Sequence, residues 1–280
     1  MKQNEILEML SLSPKTESAV KTVFTKKNFD EIIKTAYLGE TLDYPLLRRK
    51  PLTRLAAVIA LLSKKYEDYK SLGASEEIIA ETFRDVALRA NLYYERTGKP
   101  GISKEDTLWF RHIINSEIFK IGALQFQPFE MIYLDEEFLG EPYMNFSKTQ
   151  KEELPSGAQV INCHIPSGAD LSTEAVKESF IRAQTFFGEV YPNIEFKAFL
   201  CYSWLLYPEM INLLPKSSKI KAFAKNFEII GKFQDNEQAF ENLFGKAYKR
   251  PPKIKNATNL QKLAAEKPKA FGFACGIKYL

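Results

Sequence analysis

The chain is poor in the residues that metal and nucleophile chemistry draws on. It has two histidines, His112 and His164, far apart in sequence. No Cys-x-x-Cys, His-x-x-x-His or acidic calcium loop accompanies them, which leaves no recognisable metal site. Cysteine is scarce and odd in number. Cys163, Cys201 and Cys275 each sit in an apolar run, so a disulfide framework is excluded and reduced core thiols are expected. A nucleotide P-loop, a Gly-x-Gly-x-x-Gly turn after a strand and a Gly-x-Ser-x-Gly elbow are all missing. There is no long uncharged apolar run, so no membrane span is expected. The opening "MKQNEILEML" places acids where a secretory leader would be apolar, which points to the cytoplasm. A strong excess of one charge is also lacking. With 39 basic and 35 acidic residues, the net charge of +4 does not suggest a nucleic-acid binder.

What the chain does have is apolar mass. Hydrophobic residues make up 45% of it, with 21 Phe and 13 Tyr, enough for a packed core. A length of 280 residues suits two domains. The first hundred residues read as helices. "PLTRLAAVIALLSKKYEDYKSLG" opens on Pro51 and closes on Gly73, and Ser75 caps a further helix that ends before Gly98. "KPG" at 99–101 marks a boundary, giving a helical domain at 1–101 and a second domain at 102–280. The second begins with a helix whose Ser103 and Asp106 have capping-box spacing.

Beyond Gly122, strands alternate with helices: "ALQFQPFEMIYL", "AQVINCHI", a helix over 173–188, "IEFKAFLCYSWLL", short helices, "FEIIGKF", and a last strand "AFGFACGIKYL". This alternation means an α/β or α+β layer. The basic stretch "KAYKRPPKIKN" (246–256) reads as a loop.

The richest segment is "VINCHIPSGADLSTEAV". Val160, Asn162 and His164 share one strand face, and His164 stands at the carboxyl end, where such layers place ligand-binding groups. A neutral imidazole there can take a proton from an attacking amine or hydroxyl, or it can simply hold the following loop. Ile165, Pro166, Ser167, Gly168 and Ala169 form a loop whose backbone N–H groups can meet an anion or a pantetheine-like arm. Ser172 caps the next helix, with Leu171 and Val176 spaced as a hydrophobic staple. In "FLCYSWLL", Tyr202 is a candidate acid for a leaving thiolate and Ser203 a candidate carbonyl binder, with Trp204 on the Tyr202 face. Core packing is the alternative for all three. Arg111 and Gln127 are candidates to reach a shared substrate cleft.

The runs "CHIPSGADLSTEAVKESFIRAQTFF" and "CYSWLLYPEMINLLPKSSKIKAF", with the terminal "FGFACGI", resemble a bacterial acyltransferase family. Its members pair a helical N-terminal domain with a GNAT-like C-terminal domain. The matching motifs are His164 to Pro166, Ser203 to Leu206, Pro208, and Leu214 to Ser218. The resemblance implies a GNAT-like α/β domain with a mixed, mostly antiparallel sheet. It makes 159–165 the central strand and 196–205 a neighbour that splays away to admit a thioester arm. It also implies acetyl-CoA or another acyl-CoA as donor, and a small-molecule or peptide acceptor. The Arg/Gln-x-x-Gly-x-Gly/Ala loop usual in acetyltransferases is replaced by "IPSGADLS". A non-catalytic ligand- or peptide-binding protein on the same fold is therefore the second expectation.

Overall fold

Helix starts in the amino-terminal part are set by short polar side chains and prolines. The computed structural model describes residues 1–39, 41–133, 148–245, 248, 251–252 and 254–280. They divide into two units, Met1–Ile121 and Gly122–Leu280. The sequence break at 98–101 thus falls inside the first unit.

The first unit holds α1 (Gln3–Leu10), α2 (Pro14–Phe24), α3 (Phe29–Thr35), α4 (Pro51–Ser71), α5 (Glu76–Thr97), α6 (Lys104–Ile114) and the short β1 (Phe119–Ile121). Ser75 accepts from Ile78 N–H at the start of α5, and Gly98 closes that helix in the left-handed region at φ 67°. Ser103 and Asp106 form the expected capping box. Helix α2, absent from the sequence reading, starts on Ser13 with Pro14 in its first turn. Arg54 is buried on α4 and saturates backbone carbonyls: Nε and Nη2 donate to Ile102 O, and Nη1 donates to Leu47 O and Arg49 O. Those bonds compensate a charge that would otherwise be costly to bury.

Tyr37 in this unit donates its hydroxyl to Thr107 O at 2.7 Å. Burial, and then the neighbouring Tyr44, push its pKa upward. In an unfolded chain the phenol ionises near pH ~10. Above that pH the unfolded state sheds a proton that the native state keeps, so this contribution is complete below pH ~10 and falls as pH rises further. Urea denaturation at pH 9 and pH 11 is expected to show lower stability at pH 11, and Tyr37→Phe to flatten the decline.

The second unit is built on a sheet. Its strands are β2 (Leu124–Glu130), β3 (Gln159–His164), β4 (Ala198–Ser203), β5 (Glu228–Phe233) and β6 (Phe273–Tyr279). Their order within this unit is β2-β3-β4-β6-β5. The β2–β3, β4–β6 and β5–β6 pairs are antiparallel, and β3–β4 is parallel. The sheet is therefore mixed and mostly antiparallel, as the resemblance implied. The helices are α7 (Lys148–Glu153), α8 (Thr173–Val190), α9 (Pro208–Leu213), α10 (Lys219–Ala224), α11 (Glu237–Phe244) and α12 (Asn259–Glu266). Helix α7 precedes β3, in a stretch for which no element was expected. The expected loop at 246–256 lies partly outside the described residues.

Helix α8 covers one sheet face through Phe180, whose ring lies 5.9 Å from Phe126 and 4.8 Å from Phe199. On the other face Val160, Ala198, Leu200, Cys275 and Ile277 pack with Met131, Tyr133 and Leu154. The strand expected over 194–206 is shorter than its apolar pattern. Trp204–Leu206 form a 3-10 turn, because Ser203 Oγ accepts from Leu205 N–H and bends the chain. Trp204 consequently leaves the strand alternation predicted for it.

Candidate active site

Strand pairing places the site. β3 and β4 pair at Ile161 with Phe199 and at Asn162 with Leu200. Both strands run on, to His164 and Ser203. Past the shared rungs each keeps its outer neighbour: His164 stands opposite Gln125 of β2, and Ser203 opposite Ala274 of β6. The ladder between the two strands thus parts before their carboxyl ends. On the α8 side Cys163 and Cys201 are free and buried, and burial pushes the Cys163 thiol well up.

His164 is half-buried, and its Nε2 lies 3.2 Å from Gln127 Oε1. An amide oxygen only accepts, so Nε2 carries the hydrogen and Nδ1 is the proton-accepting nitrogen. Across β2 and β3, Gln125 faces His164 and Gln127 faces Asn162. These four side chains share one sheet face. The His164–Gln127 bond runs along one diagonal of the group. Gln125 and Asn162, on the other diagonal, are 1% and 7% exposed. Gln125 Nε2 and Asn162 Oδ1 have no hydrogen-bond partner among the described residues. Each such group costs about 1–3 kcal/mol in a folded protein, an expense usually met only at functional sites. Both residues were visible as polar positions in an alternating pattern, but only strand pairing reveals that they meet.

Tyr202 shares this face and donates its hydroxyl to Ile132 O at 2.9 Å, with its ring stacked on Phe273. Ser203 points to the opposite face, where it caps the 3-10 turn. Trp204 is buried, its backbone N–H donating to Gln238 Oε1 and its ring beside Phe271. Arg111 lies half-buried on α6 in the first unit, whereas Gln127 lies on β2 in the second.

The loop 165–172 joins β3 to α8. Ala169 N–H donates to Pro166 O, closing a turn whose third residue, Gly168, takes φ 75°. Ser172 occupies the N-cap position, but its side chain does not cap. Its N–H and Oγ both donate to Asp170, a nearer acceptor two residues back, which corrects the sequence expectation. Lys219 of α10 donates to the same carboxylate at 2.8 Å. The Lys219 hydrogen bond, followed by those from Ser172, lowers the Asp170 pKa to about 2. Lys219, which sequence reading passed over, is thus tied to the 165–172 loop. Among the described residues no cluster of His, Cys, Asp and Glu is placed to hold a metal ion. No described helix is long and apolar enough to cross a membrane.

A family model described as an N-acyltransferase N-terminal domain matches residues 2–115, and one described as a GNAT-like C-terminal domain matches residues 118–276. An acyltransferase crystallised with decanoyl-CoA and teicoplanin is similar over 99% of this chain and 87% of its own, with 15% identity and a TM-score of 0.72. An acyltransferase in complex with decanoyl-CoA has 17% identity and a TM-score of 0.73, with the same coverage. A mutant acyltransferase in complex with octanoyl-CoA has 15% identity and a TM-score of 0.75, again over 99% of this chain and 87% of its own. At such identities the likeness is one of fold. No curated protein matches the chain.

Proposed function

Because this chain belongs to the family that joins an N-acyltransferase N-terminal domain to a GNAT-like C-terminal domain, we propose that it transfers an acyl group from an acyl-CoA-type thioester to an amine or hydroxyl of a small-molecule or peptide acceptor. The observation that carries this reading is the parting of β3 and β4 beside His164. An extended thioester tail needs such a gap, and an attacking nucleophile needs a base next to it.

In this reading His164 Nδ1 takes the proton of the amine or hydroxyl as that atom bonds to the acyl carbon. The carbon–sulfur bond breaks, and the sulfur leaves with a proton from Tyr202. The proton on His164 then returns to Tyr202 through solvent, which closes the balance. Gln127 holds the imidazole in the required tautomer. The loop from Ile165 to Ala169, with Ser172, lies on the donor side. Lys219 supplies the cation there that suits an anionic donor once it leaves Asp170. The similarity to acyltransferases crystallised with octanoyl-CoA and decanoyl-CoA makes medium-chain thioesters the first donors to try.

A thermal-shift series with acetyl-, octanoyl- and decanoyl-CoA tests the donor. A ligand at roughly a hundredfold excess over its Kd stabilises by about 2.7 kcal/mol and raises the melting temperature. Silence with every thioester would overturn the acyl-transfer reading. It would favour a non-catalytic binding protein, which the exposed Asp170 in place of a glycine-rich loop also accommodates.

A further inference from the structure

The sheet face beside His164 carries two polar groups for which acyl transfer by His164 alone has no use. Gln125 and Asn162 stand on the diagonal that the Gln127–His164 bond crosses. Both side chains are more than nine-tenths buried. Gln125 Nε2, a donor, and Asn162 Oδ1, an acceptor, have no hydrogen-bond partner among the described residues. Packing alone would favour Met and Leu at two such positions, since an unpaired buried amide is destabilising. The surrounding face is apolar, with Val160, Ala198 and Leu200. The polarity is thus local to the imidazole.

The two unpaired groups are of opposite sense. One gives a hydrogen and the other takes one. Diagonal neighbours on paired strands are within reach of a common partner. A substrate group with a hydrogen-bond donor and an oxygen on adjacent atoms satisfies both. A plain alkylamine satisfies only the acceptor. We propose that Gln125 and Asn162 select the acyl acceptor: Asn162 Oδ1 takes one hydrogen of the attacking amine while His164 takes the other, and Gln125 Nε2 gives a hydrogen to a neighbouring oxygen of the same molecule. The acceptor class is then a 1,2-amino alcohol or an amino-acid amide. This assignment rests on the acyl-transfer reading.

The test uses Asn162→Leu and Gln125→Met in the full chain, which keep side-chain size and remove polarity. Three quantities are measured: stability in urea, thermal shift with decanoyl-CoA, and transfer from decanoyl-CoA to 2-aminoethanol, glycinamide and ethylamine. The parent is expected to prefer 2-aminoethanol and glycinamide over ethylamine. Both variants are expected to equal or exceed the parent in stability and to bind decanoyl-CoA as it does. Their KM for the two preferred acceptors rises about tenfold or more, the scale of a lost hydrogen bond to a buried group; KM for ethylamine rises with Asn162→Leu, which removes the acceptor its amine meets, and changes little with Gln125→Met.

Destabilised variants would show that the two amides serve the fold, and would overturn the assignment. So would stable variants that keep the parent's preference, or a parent that binds the thioester and acylates none of the three. A parent that binds no thioester removes the acyl-transfer reading itself, and this appears in the thermal shift before any acceptor is added.

Discussion

His164→Ala is expected to lower acyl transfer by about 10²–10⁴-fold, the usual contribution of one proton shuttle. The measurement is release of free CoA thiol at saturating decanoyl-CoA and acceptor, with circular dichroism to verify folding. His164 is half-buried at the end of β3, outside the buried core, with its Nε2 bonded to Gln127 Oε1. Removing the ring therefore should not collapse the sheet. His164→Gln refines the test, because it can keep a hydrogen bond to Gln127 but cannot take a proton near neutral pH. Both variants should bind the thioester as the parent does and lose the rise in kcat that accompanies deprotonation of a base. Either variant turning over at the parent rate would remove His164 from the chemistry.

The second large effect concerns the fold beneath the site. Phe199→Ala should cost about 3–5 kcal/mol, the range for deleting a buried phenylalanine ring. Phe199 is 1% exposed, and its ring lies 5.6 Å from Phe126 and 4.8 Å from Phe180. It also forms one of the rungs that hold β3 to β4, opposite Ile161. The loss falls where sheet, helix α8 and the parting strands meet. It is read as a shift of the urea midpoint for the transition that reports the second unit. A cost below about 1 kcal/mol would mean that the aromatic cluster is loosely packed and that other contacts fix the strands.

Much of this was legible along the chain. Ser75, the Ser103–Asp106 box and Gly98 work through atoms a few residues away, so sequence spacing suffices to place them. Local competition spoiled two readings. Asp170 captures the Ser172 hydroxyl that spacing assigned to the helix, and Ser203 bends the chain before Trp204 can extend the strand. The family resemblance supplied the mixed sheet and suggested the thioester donor proposed above. It did not supply the arrangement around His164, which depends on how β2 lies against β3. Gln125 and Gln127 are separated from Asn162 and His164 by a long connection, and which of them face one another is set by register. The unpaired amides therefore came to light only when both strands were in place.

The two thiols under α8 have a chemical consequence for any activated ester held in the parting above them. Self-acylation needs a sulfur anion, and Cys163 keeps its proton because burial disfavours the charged form. An acyl chain delivered there would find this nearby sulfur inert and would wait for the incoming acceptor, so the protein need not squander donor on modifying itself.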